Sequence, residues 1–362
     1  MEIDKQYIIN LIGEIEEEFI KNNKDYKPLK LKYPTLYLRT PDFIKIPLYK
    51  IYKFLFLNKN KKPSHELNTL SPFNLRFIKY ILESETISLD LNLFEVYDGK
   101  EIERYVKNNI YQLMNIPIEL TSKEILFIRE YKQFKKRVKK IGTVFKLNIG
   151  GEDFYLPTPE FENSVFYHGY GLNFLNKFYD LDLLKGKDFI DGGTYNGDSA
   201  LIFNVLNPKR IFCFEPDSKN YKLLEETKEL NGIINWECNR LGLGDKKEEV
   251  SFNNQSTGST VSEQGKEKVK IITIDSYSHK NKLDVGLIKL DIEGYEFKAI
   301  EGAEETIKKF KPVLILAIYH TGKDFFELPR LLKEYVPEYS FRFLNLDYSS
   351  PNLEKILVAY IK

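Results

Sequence analysis

From residue 1 to about 140 the apolar positions recur at helical intervals. In EIDKQYIINLIGEIEEEFIKN, Ile3, Tyr7, Ile8, Leu11 and Ile15 share one face and the charges take the other, which predicts an amphipathic helix. Weaker versions of the same period predict helices over 71–83 and 101–114. The stretch 121–140, TSKEILFIREYKQFKKRVKK, opens on Thr121 or Ser122 as a cap and closes on a basic run, as a helix dipole favours. That basic end reads as solvated helix face ahead of a phosphate contact.

Near residue 144 the pattern changes. TVFKLNIGGEDFYLP predicts two short strands around a Gly-Gly turn, and a helix is expected over 170–184. Compact apolar runs then alternate with helical patterns. The strands are expected at 187–191, 210–215, 234–239, 285–291, 313–319 and 355–361, and the helices at 198–206, 217–231, 296–309 and 324–335. Such alternation predicts an α/β domain with a mostly parallel sheet covered on both faces, whose ligands bind beyond the carboxyl ends of the strands. An insertion at 245–280 reads as a hairpin, EEVSFNN against VKIITID, around the polar loop QSTGSTVSEQGKE with Gly258 and Gly265. That loop is either an active-site lid or a plain surface loop. The two patterns divide the chain into a mainly helical domain over 1–143 and a sheet domain over 144–362.

Charge and composition narrow the function classes. With 54 Lys+Arg against 53 Asp+Glu, the net charge of +1 gives no global attraction for nucleic acid or an anionic membrane. The two cysteines, Cys213 and Cys238, both lie in apolar runs, which argues against a disulfide scaffold and fits a reducing cytosol. MEIDKQYIIN lacks the basic and then apolar segments of an export signal. PVLILAIY near 312 and IPLYKIYKFLFL near 46 are too short or too interrupted by lysine to span a bilayer, which takes roughly 20 apolar residues. A soluble, cytoplasmic protein is expected.

Candidate chemistry gathers at the expected strand ends. FIDGGTYNGDSA, residues 189–200, leaves the first strand through Asp191-Gly192-Gly193 and returns to glycine at Gly197. Gly-Gly serves any tight turn, but a turn without side chains also lets backbone approach a ligand, with the amides of the following helix start as donors. The pattern is not G-x-G-x-x-G, and an acid at Asp191 favours a ligand bearing an ammonium or sulfonium group over a pyrophosphate. Glu215 ends the second strand before Pro216, where a carboxylate can accept both hydroxyls of a ribose. Lys289 and Asp291 point to one side of the fourth strand, either as a structural ion pair or beside a reacting centre. Gly294 turns the chain, and Glu296 sits in the first turn of the next helix. His320, after the fifth strand, is either a structural histidine or a general base. No spacing of His and acids suggests a metal, and none is expected.

In order and spacing, FIDGGTYNGDSA, FEPD, LGLGD, ITIDSY, LIKLDIEGYEFKAIEGA and EKILVAYI resemble the FkbM-type methyltransferases, which are class I S-adenosylmethionine-dependent enzymes. The similarity covers about residues 145–362 and says nothing of 1–140. It implies a Rossmann-like, doubly wound, mostly parallel sheet of seven strands behind the helical N-terminal domain. It also implies S-adenosylmethionine as cofactor. Asp191, Gly193, Asn196 and Gly197 would lie against its methionine part, with Ser199 starting the helix beside it. Glu215 and Pro216 would hold the ribose, Arg240 and Leu241 would flank the adenine, and Asp291 would sit by the departing methyl. The second glycine of DGGT departs from the larger residue common in the family and bears on loop stiffness.

The expected activity is methyl transfer to a hydroxyl of a sugar, glycan or small natural product, with Asp291, His320 and, third, Lys289 as candidates for proton removal. The N-terminal helices would dock the acceptor or pair with a second copy. Three alternatives stand beside it: a nucleic-acid 2′-O-methyltransferase, which predicts a basic groove; an NAD-linked oxidoreductase, which lacks its glycine fingerprint here; and a non-catalytic interaction protein.

Overall fold

The computed structural model describes residues 2–22, 71–113, 118, 120–253, 260–261 and 267–362. IPLYKIYKFLFL and most of the QSTGSTVSEQGKE loop lie outside these residues. Residues 1–120 and 121–362 form two compact units.

In the first unit a short strand, Glu2–Asp4, pairs antiparallel with Ser88–Asp90 and precedes the helix Lys5–Asn22. The helices Pro72–Glu83 and Val96–Leu113 follow the expected periods. Ser71 and Asn74 form a reciprocal cap with Pro72 in the first turn, which fixes where the first of these begins. Phe77 and Tyr105 meet edge to face at 5.4 Å in the core between them. No helix among the described residues is long and apolar enough to cross a membrane.

The second unit starts with the helix Ser122–Lys135, capped by Thr121 and Glu124. It ends on Lys135, with Lys132 and Lys135 in its last turn, partway into the basic run. Lys139–Ile141 is instead a strand that pairs with Val144–Ile149, and this pairs with Glu152–Leu156 across Gly150 and Gly151, both at positive φ. The helix expected over 170–184 is broken into short turns, with only Leu172–Leu175 and Leu181–Leu184 helical. Gly169, Tyr170 and Gly171 all take positive φ, which no right-handed helix accommodates.

Seven strands build the main sheet: β1 Asp188–Gly192, β2 Arg210–Phe214, β3 Trp236–Asn239, β4 Val285–Leu290, β5 Val313–Ala317, β6 Ser340–Asn345 and β7 Lys355–Tyr360. Their order is β6-β7-β5-β4-β1-β2-β3, with β7 antiparallel to both neighbours and the rest parallel. This is the doubly wound, Rossmann-like sheet the sequence predicts. β1, β4, β5 and β7 are buried along their whole length and read as apolar runs because helices or loops cover both faces.

The crossovers carry α1 Asp198–Asn204, α2 Ser218–Leu230, α3 Ile274–Asn281, α4 Glu296–Glu301, α5 Glu304–Phe310 and α6 Gly322–Tyr335. The helix expected over 296–309 is two helices, because at Gly302 the chain passes so close to the Gly244 carbonyl that a β-carbon would lie 2.1 Å from its oxygen. The hairpin before α3 pairs Glu248–Asn253 with Glu267–Ile272, as expected. The chain leaves β1 toward β2 and β3, then returns to β4 on its other side. The crevice between the ends of β1 and β4 is therefore the switch point where such sheets bind ligands.

Candidate active site

Asp191 ends β1 fully buried. Ser199 Oγ donates to its Oδ2 at 2.7 Å, and Lys289 Nζ stands 3.1 Å from its Oδ1. Burial pushes the carboxyl up, against the pull of Lys289. Lys289, in register with Asp191 on the adjoining β4, also donates to the carbonyls of Gly192 at 3.2 Å and Gly193 at 2.7 Å. Burial opposes its charge, yet Asp191 and Asp291 hold its pKa above the ordinary lysine value. The ion-pair alternative is therefore the one the geometry realises: Lys289 is a protonated clamp on the glycine loop and has no lone pair for proton removal. The charge of Asp191 is met inside the protein.

The glycines have local reasons. At Gly193, φ is +71° and a β-carbon would lie 1.8 Å from the Asp291 carbonyl oxygen, so this residue lets the β1 and β4 loops touch. Gly197, at φ +90°, packs against Leu224, Thr227 and Trp236. The first amides of α1 are also occupied: Asn196 Oδ1 accepts from Asp198 N at 3.2 Å and Asp198 Oδ1 from Ser199 N at 2.7 Å. The loop is shaped by backbone crossing and packing, and these helix-start amides are not donors to a ligand.

Glu215 follows β2 and is buried. Its Oε2 accepts from Tyr195 N and its Oε1 from Asp217 N, both at 2.9 Å. Burial pushes the carboxyl up to about 7, with the two amides opposing. Tyr195, at φ +50°, thus ties the β1 loop to the end of β2. Pro216 follows, half-buried; after β3, Arg240 is exposed and Leu241 half-buried.

At the ends of β4 and β5 the structure joins residues that sequence reasoning took separately. Tyr170 OH donates to Asp291 Oδ2 at 2.8 Å, a contact across 121 positions that no local pattern announces. His320 is fully buried: its Nδ1 lies 2.8 Å from Glu296 Oε1, and its Nε2 lies 3.4 Å from Asp291 Oδ1 and 3.8 Å from Glu293 Oε2. Burial opposes its charge, but Glu296, Asp291 and Glu293 outweigh it and raise the pKa to about 10. These carboxylates favour the imidazolium near neutrality, the form that has no lone pair on either nitrogen. Glu296 sits in the first turn of α4 as expected, but fully buried, accepting from Ile292 N at 2.6 Å and Gly294 N at 2.9 Å. Ligand atoms of Asp291, Glu296 and His320 come within 4.8 Å of one another, a grouping their sequence spacing did not suggest.

Residues 191–343 match the family described as the methyltransferase FkbM domain. The structure is similar to that of methyltransferase FkbM from Methylobacillus flagellatus KT, with 16% identity, a TM-score of 0.46, and 80% of this chain covered. The chain spans 62% of the length of that protein. It is also similar to an rRNA methylase from Streptococcus thermophilus, with 14% identity, a TM-score of 0.34, and coverage of 53% of this chain and 95% of that one. A third likeness is to M. jannaschii TYW2 in complex with AdoMet, with 12% identity, a TM-score of 0.31, and coverage of 61% and 86%. No curated protein matches the sequence significantly.

Proposed function

We infer that this protein, whose residues 191–343 are a methyltransferase domain of the FkbM type, moves a methyl group from S-adenosylmethionine to a hydroxyl of a sugar, glycan or small natural product. The observation that carries the reading is the meeting of the β1 glycine loop, the Glu215 carboxylate and Asp291 along one edge of the sheet, at its switch point. The residues fit the cofactor. Each Glu215 oxygen spends one acceptor site on an amide and retains a second for a ribose hydroxyl. Arg240 and Leu241 would flank the adenine, Pro216 would close the ribose side, and the loop from Gly193 through Asn196 to Gly197 would border the methionine part.

When bound, the cofactor supplies a methyl group on a sulfonium for in-line displacement. Asp291 is the group available to receive the acceptor's proton: it is held from one side by Tyr170, and its side chain is 23% exposed where that of His320 is fully buried. Lys289 keeps the loop in place, and Ser199 helps to orient Asp191. The partly exposed Asp291 and Glu293 put negative charge at this mouth, which suits a neutral or cationic polyol and disfavours a phosphate backbone. Residues 1–143 are assigned to acceptor docking or to pairing with a second copy. Light scattering on the full chain reads the second of these directly.

Calorimetry with S-adenosylmethionine and NAD side by side tests the cofactor, and failure to bind the former ends the proposal. Incubation with methyl-labelled cofactor and extracts then identifies the acceptor. Label in RNA instead of a polyol would shift the reading to the nucleic-acid alternative. D291N should lower turnover by about 10²–10⁴-fold with cofactor affinity little changed.

A further inference from the structure

We propose that Cys213 and Cys238 form a redox modification site, at which a hydroperoxide joins the two thiols as a disulfide and thereby lowers affinity for the cofactor. Both cysteines are free, Cys213 buried and Cys238 half-buried. They are direct partners in the ladder between β2 and β3, and Cys213 is also the partner of Asp191, which is itself paired with Lys289. Lys289, Asp191, Cys213 and Cys238 thus make one row across β4, β1, β2 and β3, with their side chains on the same face. Neighbouring strands lie about 4.8 Å apart, and a disulfide spans Cα atoms about 4.4–6.8 Å apart, so the pair is spaced for one.

The two thiols differ as the halves of such a site must. Cys238 is the one an oxidant reaches, and the hydrogen bond from Cys213, with Lys228 nearby, holds its thiol below the ordinary cysteine value. Burial pushes the Cys213 thiol well above that value, so it is inert until its neighbour is oxidised. The Cys238 thiolate attacks one peroxide oxygen, the O–O bond breaks, and the other oxygen leaves with the Cys238 proton as water or an alcohol. The Cys213 sulfur then attacks the sulfur of the Cys238 sulfenic acid. The S–OH bond breaks, and the hydroxide departs with the Cys213 proton as water. The dithiol is oxidised by two electrons and the peroxide is reduced by the same two.

The effect on the cofactor rests on the proposed function and follows from what comes next along each strand. Glu215 N donates to Asn239 O at 3.1 Å, so the ladder runs on from the cysteines to the carboxylate assigned to the ribose. Asn239 Nδ2 donates to the Cys213 carbonyl at 3.3 Å, and Arg240 and Leu241, assigned to the adenine, follow it. A disulfide closes its sulfurs to about 2 Å and therefore shifts the two strand ends that carry these groups. Formation of the bond does not depend on that reading.

The test treats the full-length protein with hydrogen peroxide, blocks remaining thiols with N-ethylmaleimide in denaturant, and determines the mass. Wild type should lose two hydrogens, take up no maleimide and yield one linked peptide pair, since the chain has only these two cysteines. Dithiothreitol should reverse the change. C213A should stop at the sulfenic acid, captured by dimedone on Cys238, and C238A should stay reduced. Two free thiols in peroxide-treated wild type, linked dimers in place of the internal bond, or equal dimedone capture in C213A and C238A overturns the modification site. The wild-type mass alone decides this if a variant does not fold. Calorimetry with S-adenosylhomocysteine should show at least tenfold weaker binding to the bridged form than to the reduced one, with C238A unaffected by peroxide. Equal affinity of the two forms overturns the link to the cofactor. A protein that bridges as expected but does not bind S-adenosylhomocysteine when reduced would instead overturn the proposed function.

Discussion

At the scale of single residues, burial changes what an ionisable side chain can do. Lys289 and Asp191 are both deep in the sheet, and each makes the charge of the other tolerable. K289M should therefore cost about 3–5 kcal/mol, because it strands a carboxylate, and adding D191N should recover part of the loss. Chemical denaturation of the two single variants and the double variant closes that cycle. Glu215 carries a separate expectation. E215A should weaken cofactor binding at least tenfold, about 1.4 kcal/mol. Since its carboxyl titrates near 7, affinity in the wild type should rise from pH 6 to pH 8, and in E215Q this rise should vanish. Calorimetry across that range measures both.

Asp191, Glu215 and Asp291 were legible because an acid that closes an apolar run stands out against its strand. The state of His320 was not. Glu293 and Glu296 are visible in the sequence a few positions after Asp291, but only the pairing of β4 with β5 brings them to His320 and raises its pKa. Tyr170 was equally hidden, since its partner is far along the chain.

Among the elements, those buried on both faces read clearly and those at edges or under backbone constraint did not. β6 escaped the sequence reading: SFRFLN alternates between buried Phe341 and Phe343 and a half-exposed Arg342, as befits a strand paired on one side only. The turns at 169–171 and the break at Gly302 were missed for another reason. Their cause is a φ value or a neighbouring carbonyl, which hydrophobic periodicity does not record. The glycine loop makes the same point experimentally. G193A drives a β-carbon into the Asp291 carbonyl at a residue with φ +71°, so it should cost about 3 kcal/mol or more and lower the melting temperature sharply.

Taken as a whole, the molecule stores protons. His320 is raised from 6.5 to about 10. Glu215, Asp198 and Asp324 are raised to about 7 and Glu354 to about 8, in each case chiefly by burial. All five folded-state values lie above the unfolded ones. Each stabilising contribution is complete below the unfolded pKa and is lost as pH climbs through the folded one. His168, lowered to about 4 by burial, acts oppositely: its contribution is complete above 6.5 and is lost as pH falls. Between about pH 4 and 7 the four acids lose their contribution while only His168 gains one, so the melting temperature should fall from about pH 4.5 toward pH 10, most steeply below pH 7, with H320Q flattening the part above pH 7. Scanning calorimetry across this range would refute the account if the curve were level or rising.

The sheet order also constrains how the protein is made. β7 is the last of the seven strands to leave the ribosome, yet its slot is internal, between β5 and β6. Until it emerges, the nascent domain exposes two open strand edges flanking an apolar gap, each a template for any passing extended chain. The moment of greatest aggregation hazard therefore falls between the emergence of β6 and that of β7, when all but one strand of the sheet is already available.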